Sequence, residues 1–494
     1  MTTLIIVEVL KNWPLDLPGV EIITARTYLT DPAYSHLRRV KVFNLCKSYR
    51  YQSAGYYVSL LAEARGHRPL PRLVTIQDMK SQTMVRFVSD DLDALIQKSM
   101  APIQSDKFVL SIYFGRNLAK RYDRLSAELF AMFRAPLLRA QFSYQPQAKK
   151  WGLQSINPIA GSDIPDAHRP FVIDVATEFF SRQRQRVAKK QPARFELAIL
   201  HNPDEEECPS NERALKRFIK AGAAMQLGVE LITRADYGRL AEFDGLFIRE
   251  TTNVNHHTYR FARRAAAEGL VVIDDPESIL KCTNKVFLAE LLEHHKVPIP
   301  KTMILHKDNL AEAEQVLGLP CILKKPDSYF SQGVVKALDR EDLLAKGKRL
   351  LNDSELIIGQ QFLPTPFDWR VGVLDKQPLF VCRYYMAKDH WQIIERKQDG
   401  TKKDEGLFDT IPIEEAPPKV IQTALKAANL IGDGLYGVDL KQVDNKVYVI
   451  EINDNPNIDA GIEDCYLKDE MYLRVMQYFL TRIERRAEST AGKP

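Results

Sequence analysis

The 494-residue sequence has only six cysteines, and no two of them form a Cys-x-x-Cys pair. Cysteines this far apart predict neither a disulfide framework nor a cysteine-rich zinc site, so we expect a chain of the reducing cytoplasm. Long apolar runs are also absent. The opening apolar residues 4–7 are interrupted by Glu8 and are too short for a signal core, and no run approaches the roughly 18 residues that span a bilayer. We therefore expect no membrane segment.

A strong excess of either charge is lacking as well. The 69 Lys and Arg residues against 64 Asp and Glu residues give a net charge of +5, and so weak a field does not favour nucleic acid as the partner. What is present is the composition of a folded protein, with 45% hydrophobic and 27% charged residues. The length predicts about three domains.

The first 190 residues have the pattern of an α/β domain. Strands are predicted at residues 4–7, 40–45 and 108–114, and helices at 51–65 and 118–133. The basic segment 181–193 then reads as a solvated helix end that runs into a linker. The alternative, an RNA-binding arm, lacks the aromatic residues that stack on bases.

A second α/β pattern begins after this linker. A strand at 195–200, a helix at 211–227 and a strand at 243–248 predict a βαβ unit. Arg249 follows the last strand directly, at the sheet edge where ligands of open α/β sheets often bind. The residues alone leave two interpretations open, a ligand contact and a surface ion pair.

Two lysines indicate a phosphate site. Lys285 opens a predicted helix and Lys324 lies on a predicted strand, and two such cations can converge on one polyphosphate, although a single lysine is by default a surface residue. The loop at 327–333 can close over phosphates through backbone N–H groups and hydroxyls. The strand at 356–363 ends in a polar and aromatic step that is typical of a hinge lining an adenine slot.

A predicted hairpin carries acidic residues among β-branched ones. Asp439 lies on its first strand, and alternation on the second strand puts Glu451 and Asn453 on one face with Ile450 and Ile452 on the other. Carboxylate and amide oxygens suit Mg²⁺, so the trio predicts a metal site rather than a surface hairpin.

Two arginines lie on an earlier predicted hairpin. Arg370 enters the strand that continues through residues 371–374, and Arg383 lies at the exit of the partner strand. On its own, Arg383 reads as a solvent-facing hairpin charge.

Together these motifs resemble the ATP-grasp superfamily, and within it the RimK-type glutamate ligases and glutathione synthetases. The resemblance spans roughly residues 195–480 in the family's order of motifs. The earlier segments NLCKSYRYQSAGYYVSLLAEARGH and YFGRNLAKRYDRLSAELFAMFRAPLLRAQF resemble the RimK-like ATP-grasp N-terminal domain.

The resemblance implies a multidomain α/β and α+β fold with an ATP-grasp core. Its parts are an N-terminal domain of unknown role (1–190), a pre-ATP-grasp α/β domain (191–280), a small subdomain (281–358), a C-terminal subdomain with the metal site (359–484) and a flexible tail (485–494).

Residue roles also follow from the resemblance. It implies ATP contacts by Lys285, Lys324, Ser331, Gly333, Gln360, Gln361, Phe362, Leu363 and Asp368. It implies Mg²⁺ ligands, with Mn²⁺ as the alternative ion, in Asp439, Glu451 and Asn453. Arg383 would steady the acyl phosphate and the oxyanion, Arg370 would lie near the acceptor, and Arg249 and Asn455 would belong to the substrate site.

The implied activity is an ATP-dependent carboxylate–amine ligase. Transfer of the γ-phosphoryl group activates a carboxylate, an amine attacks the acyl phosphate, and ADP and phosphate leave. Expected substrates are amino acids, with glutamate as the candidate acid, and small amines or peptides, with a protein tail as the variant acceptor; a homo-oligomer is expected. Two alternatives remain open: a nucleotide-binding regulatory or scaffold protein without turnover, and a kinase that stops at phosphate transfer.

Overall fold

The computed structural model describes residues 2–10, 20–37, 40–187, 193–205, 207–327, 333–388, 390–396 and 402–490. The chain forms two compact units. The first comprises residues 1–192, 237–239 and 484–494, and the second comprises 193–236 and 240–483. Among the helices of the described ranges, none combines the length and the apolar character needed to cross a membrane.

The first unit opens with a four-stranded parallel sheet. Its strands are β1 Thr2–Val7, β2 Glu21–Thr24, β3 Val40–Asn44 and β4 Arg68–Leu70, and the accompanying helices are α1 Ala25–Thr30, α2 Pro32–Ser35 and α3 Ala54–Ala64. The strand order is β2-β1-β3-β4. Helix α3 begins three residues later than predicted because the Ser53 side chain caps its N-terminus.

A three-stranded antiparallel sheet, in the order β5-β6-β7, completes this unit. This part of the chain contains α4 Leu73–Lys80, α5 Gln82–Asp91, α6 Asp93–Met100, β5 Lys107–Tyr113, α7 Asp123–Met132, β6 Leu137–Gln145, β7 Lys150–Pro158 and α8 Arg169–Val187. Helix α7 starts later than the predicted residue 118, after a 3₁₀ turn at Lys120–Tyr122. Helix α8 covers the start of the basic segment 181–193, and residues 188–192 lie outside the described ranges.

The second unit opens with a parallel sheet in the order β11-β10-β8-β9. Its elements are β8 Phe195–Leu200, α9 Glu212–Ala224, β9 Leu227–Ile232, β10 Gly245–Ile248, α10 His257–Ala267 and β11 Val271–Ile273. Strand β9 was missing from the sequence prediction, which extended the helix to residue 227. The chain turns at Gln226, whose φ of 58° ends the helical path and lets the apolar residues that follow form a strand.

A smaller antiparallel sheet follows, in the order β12-β15-β13-β14. Its elements are α11 Pro276–Thr283, α12 Lys285–His294, β12 Thr302–Leu305, α13 Ala313–Leu317, β13 Cys321–Lys324, β14 Val334–Ala337, α14 Arg340–Leu350 and β15 Ile357–Gln361. Leucines from α13, α14 and the strands form a separate apolar core beneath this sheet.

The third sheet is antiparallel, with five strands in the order β20-β17-β16-β21-β22. This part contains β16 Phe367–Leu374, β17 Gln377–Tyr385, β18 Ile394–Arg396, β19 Lys402–Glu405, β20 Phe408–Ile411, α15 Pro418–Ile431, β21 Leu435–Val443, β22 Lys446–Asn453 and α16 Asp469–Thr490. Helix α15 packs on one face of the sheet, and β18 pairs with β19 separately. Helix α16 includes residues 485–490, which the sequence predicted to be part of a flexible tail. The predicted α/β and α+β class is confirmed.

Candidate active site

The acidic trio lies on the hairpin of β21 and β22. Asp439 is directly opposite Glu451, and Asn453 is opposite Gly437. Glu451 and Asn453 share a face, as the alternation predicted, and Ile452 points into the core. Ile450 does not join it, because a bulge shifts the register after Asp439 and leaves Ile450 only half-buried.

Lys285 meets this trio from helix α12, whose Leu288 and Leu292 pack in the core of the five-stranded sheet. It is the first residue of α12, and its Nζ lies 2.8 Å from Oε1 of Glu451. The side chain of Asn284 caps the helix by accepting from two backbone N–H groups, which fixes the direction in which Lys285 enters the site. Burial acts to raise the pKa of Glu451, but Lys285 and Lys324 outweigh it and hold that pKa below its ordinary value.

Lys324 enters the same cluster at the end of β13. Its Nζ donates to Oε1 of Gln360 on the neighbouring strand at 2.8 Å. Only 8% of Lys324 is exposed, and burial lowers its pKa to about 8. Glu451 raises the pKa of Lys324 and Lys285 lowers it, and Lys285 itself contacts Glu451, so the two predicted lysines act on the same carboxylate.

Arg370 holds Asp439 with two parallel hydrogen bonds. Nε donates to Oδ1 at 2.7 Å and the second guanidinium nitrogen donates to Oδ2 at 2.8 Å. Asn453 also donates to Oδ2 of Asp439, at 3.3 Å. This bidentate geometry fixes the orientation of the Asp439 carboxylate beside Glu451.

Asp368 is paired with a lysine that the sequence analysis did not single out. Nζ of Lys441 donates to Oδ1 of Asp368 at 2.5 Å and to the Thr365 hydroxyl at 2.7 Å. Burial raises the pKa of Asp368, and Lys441 opposes that shift. Lys441 lies two residues after Asp439, so the period-two pattern of β21 was the signal for its position on this face.

The hinge residues follow the end of β15. The backbone N–H of Gln361 donates to the Lys301 carbonyl at 2.8 Å, and Phe362 and Leu363 are half-buried just beyond it. The ammonium of Lys336, on β14, lies 3.8 Å from the centre of the Phe362 ring. The sequence analysis missed Lys336, a lysine in a short strand with no motif around it.

The predicted phosphate loop is described only at its ends. Ser331 lies outside the described residues. Gly333 has a φ of 71°, and its carbonyl accepts from the Lys325 N–H at 3.0 Å. At the other end of the loop, the Asp327 side chain accepts from Asn284 at 3.1 Å, beside Lys285.

Arg383 is not part of this cluster. In the pairing of β16 with β17, Arg383 is opposite Trp369, whereas Arg370 is opposite Cys382. Directly paired residues of an antiparallel sheet share a face, so the two arginines lie on opposite faces. Arg383 pairs with Asp409 on β20, and 30% of its side chain is exposed. The structure thus places Arg383 apart from this cluster, which does not favour the expected contact with the reacting groups.

Arg249 and Asn455 meet each other rather than an open site. Arg249 is fully buried and donates to Oδ1 of Asn455 at 2.6 Å, to the Ser210 hydroxyl and to the carbonyls of Pro209 and Pro456. Nδ2 of Asn455 donates to the Glu250 carbonyl at 2.7 Å. These bonds tie the segment after β22 to the first sheet of the unit. Arg249 is therefore not a surface charge, and its contact with a ligand stays a prediction.

Comparison with known families identifies the domain that contains this cluster. Residues 282–458 match the family model of the ATP-grasp domain, and residues 25–175 match that of the RimK-like ATPgrasp N-terminal domain. Residues 282–458 are therefore an ATP-grasp domain. It contains Lys285, Lys324, Arg370 and all three residues of the acidic trio.

Several relatives of this chain are named as ligases. The alpha-aminoadipate–LysW ligase LysX of Saccharolobus solfataricus is 27% identical over 224 residues, which are 43% of this chain and 75% of the relative. A probable alpha-L-glutamate ligase of Rhodopirellula baltica is 23% identical over 231 residues, which are 46% of this chain and 54% of that relative. The chain thus spans only about half the length of the second relative. The predicted enzyme class, an ATP-dependent carbon–nitrogen ligase, is confirmed.

The chain is also similar to a solved ligase structure. The D-alanine–D-alanine ligase of Bacillus anthracis complexed with ATP is 14% identical, with a TM-score of 0.43, and the match covers 59% of this chain and 99% of that one.

Proposed function

We propose that the second unit joins an amino acid carboxylate to an amine through an acyl phosphate and releases ADP and phosphate. The observation that carries the proposal is one polar cluster with two buried lysines, an arginine and three oxygen-bearing side chains. Phosphoryl transfer requires positioning and charge neutralisation rather than a side-chain nucleophile, and this cluster offers both. We propose residues 281–358 and 359–484 as the two subdomains that hold the nucleotide.

The donor set fits a magnesium ion. Asp439 and Glu451 offer carboxylate oxygens and Asn453 an amide oxygen, and the two acid side chains are 17% and 28% exposed. Mg²⁺ is usually held by one or two carboxylates together with substrate phosphates, and it supplies charge neutralisation when bound. Mn²⁺ stays the alternative ion for the same oxygens.

The lysines would bind the phosphates of ATP. Among the residues that the structure describes, Lys324 hydrogen-bonds to the neutral Gln360 and to no carboxylate, so its charge is available for an anion. Added negative charge nearby favours the ammonium form, which offsets the effect of burial on its pKa. Lys285 would contribute a second cation, and Gln361, Phe362 and Leu363 would border the adenine.

Arg370 would orient the reacting groups. It already fixes Asp439, and its guanidinium lies on the face that holds both lysines. We assign no catalytic role to Arg383. Arg249 and Asn455 would shape the acceptor side indirectly, by holding the segment after β22 in place.

The substrate class is inferred from the relatives. One is named for ligating alpha-aminoadipate to LysW, and another is named as a probable alpha-L-glutamate ligase. We propose an acidic amino acid as the acid, with glutamate first, and a small amine, amino acid or peptide as the acceptor. A protein tail is the variant acceptor.

Trapping with hydroxylamine tests the proposal. The full chain would be incubated with MgATP, hydroxylamine and each of a panel of amino acids, and the hydroxamate and the nucleotide would be measured. We expect a hydroxamate with glutamate or a close analogue, formed with ADP and phosphate in equal amounts. AMP and pyrophosphate would contradict the acyl phosphate. Binding of ATP without consumption by any acid and amine would favour the regulatory alternative.

A further inference from the structure

A second hydrogen-bonded pair lies on the site face and has no part in the proposal above. Tyr384 on β17 donates its hydroxyl to Oε1 of Glu463, in the segment after β22. Because Arg383 and Tyr384 are successive strand residues, Tyr384 points to the face opposite Arg383, which is the face of Arg370. The Arg370 guanidinium lies 5.1 Å from the centre of the Tyr384 ring. The Tyr384 ring therefore lies beside the guanidinium that holds Asp439.

Glu463 is held by fixed contacts on both oxygens. Its Oε2 accepts from the Asp459 N–H at 2.7 Å, and its Oε1 accepts from Tyr384. Only 1% of Glu463 is exposed. Its loop is fastened to β20, because the Thr410 hydroxyl donates to the Ile462 carbonyl at 2.7 Å. Neither of these two partners is a cation, so within the described part of the chain the Glu463 carboxyl is buried without an ion pair.

The charged and titratable groups around the pair come from three strands and one loop. They are Arg249 after β10, Arg370 on β16, Cys382 on β17, and Asp459, Asp464 and Cys465 in the loop of Glu463 itself. Burial raises the pKa of Glu463 to about 7, and burial and Glu463 together raise the pKa of Tyr384 above its ordinary value. A carboxylate with a pKa close to neutral is well matched to accept a proton at neutral pH.

We propose that Tyr384 and Glu463 form the proton relay that accepts the proton of the attacking amine. The inference rests on the ligase function proposed above and adds an acceptor-side role to it. The acceptor enters as an ammonium, and one of its protons passes to the Tyr384 oxygen as the Tyr384 proton passes to the Glu463 carboxylate. The freed amine nitrogen then forms the new bond to the acyl carbon, and the bond from that carbon to the phosphate oxygen breaks with its electron pair on phosphate. The second proton of the nitrogen leaves with the phosphate as hydrogen phosphate. Tyr384 is the catalytic residue, and Glu463 is a positioning residue that acts through it.

The relay predicts different effects on two amines. Both amines are tested as acceptors with MgATP and L-glutamate. Hydroxylamine is uncharged at neutral pH and is a strong nucleophile, so its reaction depends little on a base. The amine of a second L-glutamate must lose its proton first. We expect Tyr384→Phe and Glu463→Gln to slow glutamyl-glutamate formation about 100-fold while hydroxamate formation stays within about threefold of wild type. Glu463→Asp should recover part of the rate, and higher pH should narrow the difference.

Tyr385→Phe is the matched control. It removes a hydroxyl from the next residue, whose ring lies on the other face, 5.5 Å from the ring of Phe367. Equal slowing of both products in Tyr384→Phe and Glu463→Gln would mean that the pair only holds the loop, and it would overturn the relay. Unchanged amide formation in these variants would overturn it as well.

An infrared titration of the full chain gives a readout that needs no substrate. The difference between wild type and Glu463→Gln should contain a carboxyl band that titrates near neutral pH. A Glu463 that stays ionised down to pH values ordinary for glutamate would overturn the relay. If wild type forms no glutamyl hydroxamate, glutamate as the acid is wrong, and the infrared titration still decides whether Glu463 has the proton affinity that the relay needs.

Discussion

Arg370 and Arg383 lie on neighbouring strands of one sheet but on opposite faces. Arg370 faces the lysines and the acidic trio, whereas Arg383 is opposite Trp369 on the side covered by α15. Both have a carboxylate partner, so residue type and pairing alone do not separate them. The difference lies in the side-chain period of the strand, which sends neighbouring positions to different surroundings.

The two faces also differ in what stabilises them. The α15 face is an apolar core in which Val371, Val438 and Ile452 are fully buried. The other face collects charges of both signs that are held by one another, such as Lys285 with Glu451 and Lys441 with Asp368. Removing a group should therefore affect stability on the first face and chemistry on the second.

The largest expected effect is that of Glu451→Gln. It keeps the shape of the side chain but removes the charge that faces Lys285. We expect turnover to fall by more than about 100-fold, because loss of a proposed metal ligand should exceed the loss seen when a residue that only hydrogen-bonds to a ligand is removed. Steady-state kinetics over a Mg²⁺ series measure it. Asp409→Asn removes an acid from the other face and is the matched control. Equal activity of the two variants would contradict the metal site.

Arg370→Ala comes next. It frees Asp439 and removes a cation from the reacting face, and we expect kcat to fall about 100-fold, as for other donors to a developing charge. Thermal unfolding should show a folded protein. An unchanged kcat would contradict the proposal that the reacting groups bind at this face of the sheet.

Lys324→Met should separate stability from function. Burial lowers the pKa of Lys324 from 10.5 to about 8. The charged lysine therefore destabilises the folded state below pH 8, and this destabilisation disappears as the pH rises towards 10.5. At pH 7 the free energy of unfolding of the variant should exceed that of wild type by roughly 1 to 3 kcal/mol. One pKa unit corresponds to about 1.4 kcal/mol, and the lost hydrogen bond to Gln360 offsets part of the gain. ATP should no longer raise its melting temperature. Denaturant unfolding at pH 7 and pH 10.5, with and without MgATP, measures both; a less stable variant at pH 7 would contradict the assigned cause.

Arg383→Ala should have the smallest effect. The pair with Asp409 is partly exposed on both sides, and such pairs contribute roughly 0.2 to 1 kcal/mol. We expect kcat within about threefold of wild type, in the same assay as Arg370→Ala. A loss as large as that of Arg370→Ala would restore the role that the sequence resemblance implied.

Much of the core site could be predicted because its motifs are local. Lys285 and Lys324 stand in short, well-defined contexts, and the alternation of β22 correctly placed Glu451 and Asn453 together. The same alternation failed at Ile450, where a bulge interrupts it. Bulges depend on the pairing of two strands and leave little trace in either one.

The errors concern contacts between distant segments. Arg249 is buried by the carbonyls of Pro209 and Pro456, which lie 40 and 207 residues away in sequence. The face of Arg383 depends on its register with β16. Strand β9 was hidden because the apolar residues after Gln226 continue the pattern of the preceding helix. Neither long-range partners nor registers can be read from one strand at a time.

The pair of Lys285 and Glu451 has a consequence for how ligands enter the site. Each side chain neutralises the other at 2.8 Å, yet the proposed function requires Lys285 to face phosphate and Glu451 to face a divalent ion. The first ligand to bind, nucleotide or cation, must break this ion pair. The other ligand then binds to a side chain that is no longer paired. The two affinities are thus linked, and thermodynamic reciprocity demands that nucleotide strengthen the binding of the cation by the same factor as the cation strengthens that of nucleotide.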